Sequence, residues 1–82
     1  MAYDQARLLL IWQKGRVIKG RNPNLYRCDC YGNIIYWHSY GQFTTMGWEV
    51  DHSKPKCEGG TDHLNNLQPM QTLANRVKSG KY

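Results

Sequence analysis

The sequence predicts a small α+β domain with an N-terminal helix, short antiparallel strands and a closing strand–loop–strand–helix unit. Three observations carry that expectation. The chain has 82 residues, enough for one domain with one hydrophobic core. Helical apolar spacing occurs near its two ends, whereas the middle alternates β-favouring runs with Gly, Pro and Asn. No segment repeats and none is of low complexity.

The elements follow in order. "DQARLLLIWQ" (4–13) suits a short helix, with Asp4 as its cap and Leu8, Ile11 and Trp12 on one face. Gly15 is placed to stop it. "RVIK" (16–19) is β-favouring but brief, and Gly20 with "RNPN" (21–24) marks a turn. "LYRCD" (25–29) and "NIIYW" (33–37) are strand-like runs on either side of "CYG", a hairpin pattern. "SYGQFTTMG" (39–47) reads as an irregular connection. "WEVDH" (48–52) is a strand, 53–63 a polar Gly-containing loop and "NLQPM" (66–70) the returning strand. "QTLANRVKS" (71–79) is the last helix, ending at Gly80. The 3 Trp and 6 Tyr are core material first, and Trp48 is the expected anchor of the final hairpin.

Composition narrows the class. The longest apolar run, "LLLIW" (8–12), is far short of the roughly 18 residues a membrane span needs. "MAYDQAR" is neither a basic leader nor a cleavable one, so a cytoplasmic protein with no membrane partner is expected. Cys28, Cys30 and Cys57 are odd in number, which argues for a reducing compartment and against a disulfide framework. The net charge is +5 and unevenly spread. Between Asp4 and Asp29 there is no acid, yet Arg7, Lys14, Arg16, Lys19, Arg21 and Arg27 all fall there. Arg76, Lys78 and Lys81 close the chain. Such a field favours polyanions, nucleic acid above all. Charge alone does not separate that from a solvated surface that only aids solubility.

The residues that could do chemistry cluster late. Asp51 and His52 end a predicted strand, and Asn75 lies inside the final helix. Folding the hairpin against the helix would bring that corner beside Asn75. A carboxylate and an amide carbonyl are hard oxygen donors, which suits Mg²⁺ or a similar cation that keeps most of its water shell. An imidazole that is largely neutral at pH 7 can take a proton from water. Together these parts could hydrolyse a phosphodiester. One physical difficulty remains: adjacent strand residues point to opposite faces, so the strand must end or bend at Asp51–His52. The Ser53–Lys54–Pro55 exit provides for that. Glu49 shares the Asp51 face and is either an acid supporting the metal site or a solvated carboxylate.

The stretch "EVDHSKPKCEGGTDHLNNLQPMQTLANRVKSG", with "GW" before it (47–80), resembles the HNH nuclease motif, also called ββα-metal or His-Me finger. The matching features are Asp51-His52, Pro55, Gly59-Gly60, Asn66-Leu67, and Asn75 with Lys78. "IWQKG" (11–15) and "YRCDCYG" (26–32) resemble a compact subgroup more loosely, so the likeness extends over a single domain, 1–82. The resemblance implies a divalent-metal-dependent endonuclease acting on DNA, with Mg²⁺ or Mn²⁺ as cofactor. It assigns His52 as general base and Asp51 and Asn75 as metal ligands. Asn66 completes the motif by tying the loop, and Lys78 would contact phosphate or the leaving group. Lys14, Arg16, Lys19, Arg21, Arg27, Lys54, Lys56 and Arg76 would meet the DNA backbone.

The chain departs from the family in two places. Many members bind a structural zinc through two CxxC pairs; here Gln71 and Ala74 occupy the second pair and Cys28-x-Cys30 the first. No structural zinc is expected, the alternative being a site from Cys28, Cys30, Cys57 and His63. Ser53 stands where an aliphatic residue is usual. His38 and His63 are expected on the surface. The competing functions are a non-catalytic nucleic-acid-binding module and an accessory protein of a phage packaging or restriction machine. One such site cuts one strand, so double-strand cleavage would call for a homodimer or two encounters.

Overall fold

Apolar side chains at positions 8, 11 and 12 build the first element. In a computed structural model that describes residues 3–78, helix α1 (Gln5–Trp12) begins where Asp4 accepts from the Arg7 N–H at 2.8 Å. It buries Leu8, Ile11 and Trp12 and closes at Gln13, ahead of Gly15. A cap of this kind is worth about 1 kcal/mol.

Strands β1 (Arg16–Val17), β2 (Tyr26–Cys28) and β3 (Ile34–Tyr36) form an antiparallel sheet in the order β1-β2-β3. Each is shorter than the β-favouring run that predicts it. For β1 the reason is local: Ile18 O already accepts from Arg21 N as the chain turns at Gly20.

A second antiparallel sheet pairs β4 (Trp48–His52) with β5 (Leu67–Gln71), with Asp51 opposite Gln68 and His52 opposite Leu67. Helix α2 (Thr72–Lys78) follows β5 without a gap. Gln71, expected in the helix, is instead the last strand residue, because it pairs with Trp48. The predicted stop at Gly80 lies outside the described residues. The fold is thus α+β, with two helices and two antiparallel sheets. None of the described helices is long and apolar enough to cross a membrane.

The core joins these parts through tryptophan. Trp12 and Trp48 are 1% and 0% exposed, with ring centroids 5.0 Å apart, and Trp37 packs edge-on to Trp12 at 5.5 Å. Both buried indoles keep a partner: Trp12 Nε1 donates to Pro23 O and Trp48 Nε1 to Trp37 O. Leu8 and Ile35 complete the cluster, so the second sheet is anchored to α1 and to the first sheet through Trp48.

Asp29 makes the other connection. It is 2% exposed and accepts from Tyr31 N, Asn33 N and Asn33 Nδ2 in its own turn, and from Gln71 N at the end of β5. A buried carboxylate of this kind persists because its oxygens are fully used by donors.

Candidate functional site

Pleating of β4 sends Glu49 and Asp51 toward α2. Glu49 accepts from Asn75 Nδ2 at 2.7 Å and from Arg76 Nε at 3.2 Å. Asp51 is buried and accepts on Oδ2 from Gln68 Nε2 and from Lys78 Nζ, both at 2.8 Å. Lys78, expected to meet phosphate, therefore sits on the Asp51 carboxylate. Glu49 is no freely solvated acid; it holds the side chain of Asn75.

His52 is the last residue of β4, and Ser53 N donates back to Asn66 O as the pairing ends. Its Nε2 lies 2.7 Å from Asp62 Oδ1 in the loop. Although the two neighbours make different contacts, Asp51, His52, Glu49, Asn75 and Lys78 all border one cleft of about 630 Å³. Val50 borders it as well, so the cleft takes successive residues of β4 although the strand continues through His52.

The loop between β4 and β5 is closed by its own polar groups. Asn66 Oδ1 accepts from Lys54 N at 2.8 Å, while Asn66 Nδ2 donates to Lys54 O at 3.1 Å and Thr61 O at 2.8 Å. One amide thus fixes both arms of the loop at the start of β5. Gly59 has φ 90° and ends the 3₁₀ turn Lys56–Glu58. Gly60 N donates to Pro55 O at 2.9 Å, and a Cβ on Gly60 would overlap the Lys54 carbonyl. The two glycines are needed for different reasons, handedness at Gly59 and close approach at Gly60.

The basic set divides. Lys14 Nζ donates to Leu64 O and Leu67 O, and Arg27 donates to Pro23 O, Gln13 O and Gly15 O. These two cations, expected on DNA, are engaged with backbone carbonyls, most of them in the turns and loops around the strands. Arg76 is turned to Glu49 and lies over the Phe43 ring at 5.9 Å. Arg16, Lys19, Arg21 and Lys54 are exposed, and Lys56, also exposed, pairs with Asp62 at 3.1 Å.

The thiols do not gather. Cys28 and Cys30 border a second cleft of about 320 Å³ with Lys14 and Asp29, whereas Cys57 borders the first. Among the described residues no three His, Cys, Asp or Glu side chains are grouped to share an ion. Burial pushes the Cys30 thiol up, and the charges of Asp29 and Asp51 push it further. His63 and His38 are exposed, the latter edge-on to Tyr36.

The residues that could hold a hard divalent cation are Asp51 and Asn75, the latter through its side-chain carbonyl. Asp51 Oδ1 carries no hydrogen bond among the described residues, so one carboxylate oxygen is open while Oδ2 is engaged. One carboxylate and one amide suit Mg²⁺ or Mn²⁺, which fills its remaining positions with water and substrate oxygens. Sequence reasoning missed Asp62 and Gln68. Gln68 is the cross-strand neighbour of Asp51, a placement that follows from the two predicted strands once their register is known. No family model, curated protein or solved structure matches this chain.

Proposed function

We propose that the chain is a divalent-metal-dependent endonuclease of the HNH, or ββα-metal, type that hydrolyses DNA phosphodiester bonds. The observation that carries this is the shared cleft of Asp51, His52 and Asn75, contributed by the end of β4 and by α2. Asp51 and Asn75 would hold the cation, which when bound supplies positive charge beside the phosphoryl and leaving oxygens.

His52 takes the proton of the attacking water. Glu49 keeps the Asn75 amide from rotating by accepting its N–H, which directs the carbonyl away from that carboxylate. Asn66 holds the loop that forms one wall of the cleft. Lys78 balances the charge of Asp51 in the resting protein. That same pair favours a second reading, a nucleic-acid-binding module that keeps the fold without cutting, because the carboxylate already holds a cation.

Supercoiled plasmid incubated with the protein separates the two. Nicked product in Mg²⁺ or Mn²⁺, none in EDTA, and a rate at least about 100-fold lower for His52→Ala are expected. Plasmid retarded on a gel but uncut with every divalent metal would establish the binding module.

A further inference from the structure

Which ring nitrogen of a histidine carries the proton decides what the ring can do, and a partner on the other nitrogen decides the tautomer. His52 Nε2 lies 2.7 Å from Asp62 Oδ1, while Asp62 Oδ2 accepts from Lys56 Nζ at 3.1 Å. The hydrogen bond from His52, and after it that from Lys56, holds the Asp62 carboxyl below the usual carboxylate range. An ionised carboxylate only accepts, so the hydrogen between the two groups belongs to Nε2. Nδ1 is then the unprotonated nitrogen of the neutral ring, and it makes no hydrogen bond among the described residues.

The carboxylate is presented from a fixed backbone. Arg7 of α1 donates to the Asp62 carbonyl, and the neighbouring Thr61 carbonyl accepts from Asn66 Nδ2 at 2.8 Å. The loop is therefore held from α1 on one side and from the start of β5 on the other. Among the described residues no competing acceptor reaches the His52 ring, and the cation paired with the Asp62 carboxylate is Lys56.

We propose that Asp62 is a positioning residue that locks neutral His52 in its Nε2–H form and leaves Nδ1 as the basic nitrogen of the site. Its catalytic consequence rests on the nuclease function proposed above; the tautomer itself does not. Asp62 makes no demand on the metal ligands, since its contacts are with His52, Lys56 and Arg7.

The test uses the full chain labelled with ¹⁵N-histidine, with His52 assigned by its loss in His52→Ala. Long-range ¹H–¹⁵N correlation at a pH near ~8, where an ordinary imidazole is neutral, reads the tautomer directly. Wild type is expected to show a protonated Nε2 and a bare Nδ1. In Asp62→Asn the amide can donate to Nε2, so the His52 signal should move toward the Nδ1–H form. In plasmid cleavage the same variant should lower kcat by roughly 100-fold or more at an unchanged KM, by analogy with the tautomer loss that follows removal of a carboxylate from a catalytic histidine. A Nδ1–H signal in wild type, or an Asp62→Asn spectrum identical to wild type, would overturn the proposal. So would a changed tautomer with kcat intact. A protein that cuts no DNA defeats the nuclease function instead, and the spectra alone then decide the role of Asp62.

Discussion

Asp29 and Asn66 do similar work at the residue scale, each using one short polar side chain to join segments that are distant in sequence. Asp29 is the more consequential because it is buried. Asp29→Ala leaves four partly buried donors, the N–H groups of Tyr31, Asn33 and Gln71 and the Asn33 amide, without their acceptor. Leaving buried donors unpaired costs about 1–3 kcal/mol each, less where water can reach them. A loss of about 3–5 kcal/mol is expected, comparable with the whole stability of a domain this small. Asp29→Asn keeps one carbonyl for the turn but offers an N–H₂ to Gln71 N, so about half that loss is expected. Urea unfolding followed by tryptophan fluorescence measures both, and the buried Trp12–Trp48 pair makes the signal sensitive to the core. Equal midpoints for Asp29→Ala and wild type would mean that these bonds carry no net weight. Neither the burial of Asp29 nor its partner was legible in the sequence. "CDCYGN" reads as a turn, and nothing local to it points to Gln71 at the end of β5.

At the scale of elements, the loop between β4 and β5 depends on two glycines with separate jobs, so their alanine variants should differ. Gly59→Ala keeps the space open but needs a left-handed backbone, a cost of about 1–2 kcal/mol. Gly60→Ala drives a methyl into the Lys54 carbonyl, which only a shift of the loop can relieve. Because Asn66 ties Lys54 and Thr61 together, that shift should carry Asp62 away from His52. Gly60→Ala is thus expected to reduce plasmid cleavage by at least about 10-fold more than Gly59→Ala. Equal activities would show that the loop wall does not set the site. The elements themselves were readable where side-chain period and turn residues agreed. "WEVDH" alternates and is bounded by Gly47 and Pro55, and it forms a strand over those five residues. α1 followed from Asp4 and its apolar stripe. "RVIK" and "QTLANRVKS" failed at their edges, where a turn or a strand partner took over residues that propensity alone assigned elsewhere. The cleft that gathers Asp51, His52 and Asn75 followed from a strand facing a helix. Asp62 did not, since a loop has no period from which the direction of a side chain can be read.

For the whole molecule the question is which part of the +5 charge is available to a polyanion. Counting cations overstates it, because Lys14 and Arg27 are spent on backbone carbonyls and Lys78 and Arg76 on carboxylates. Arg16, Lys19 and Arg21 differ: all are exposed, at β1 on the edge of the first sheet and in the turn that follows it. Arg21 also lies over the Tyr26 ring at 4.9 Å, which steadies its guanidinium while leaving it on the surface. Each cation that neutralises a phosphate contributes about 0.9 to the slope of log affinity against log salt. Replacing Arg16, Lys19 and Arg21 together by Ala should therefore flatten that slope by about 2–3, with little change in the urea midpoint. Lys14→Ala should do the reverse, lowering the midpoint because the Leu64 and Leu67 carbonyls lose the ammonium that joins them, while the slope stays as in wild type. Fluorescence anisotropy of a labelled duplex, titrated with His52→Ala protein at several salt concentrations, gives the slopes without cleavage. An unchanged slope in the triple variant would move the DNA track off the first sheet. The proposed duplex would then run along the loop side of the cleft, where Lys54 and Lys56 are exposed.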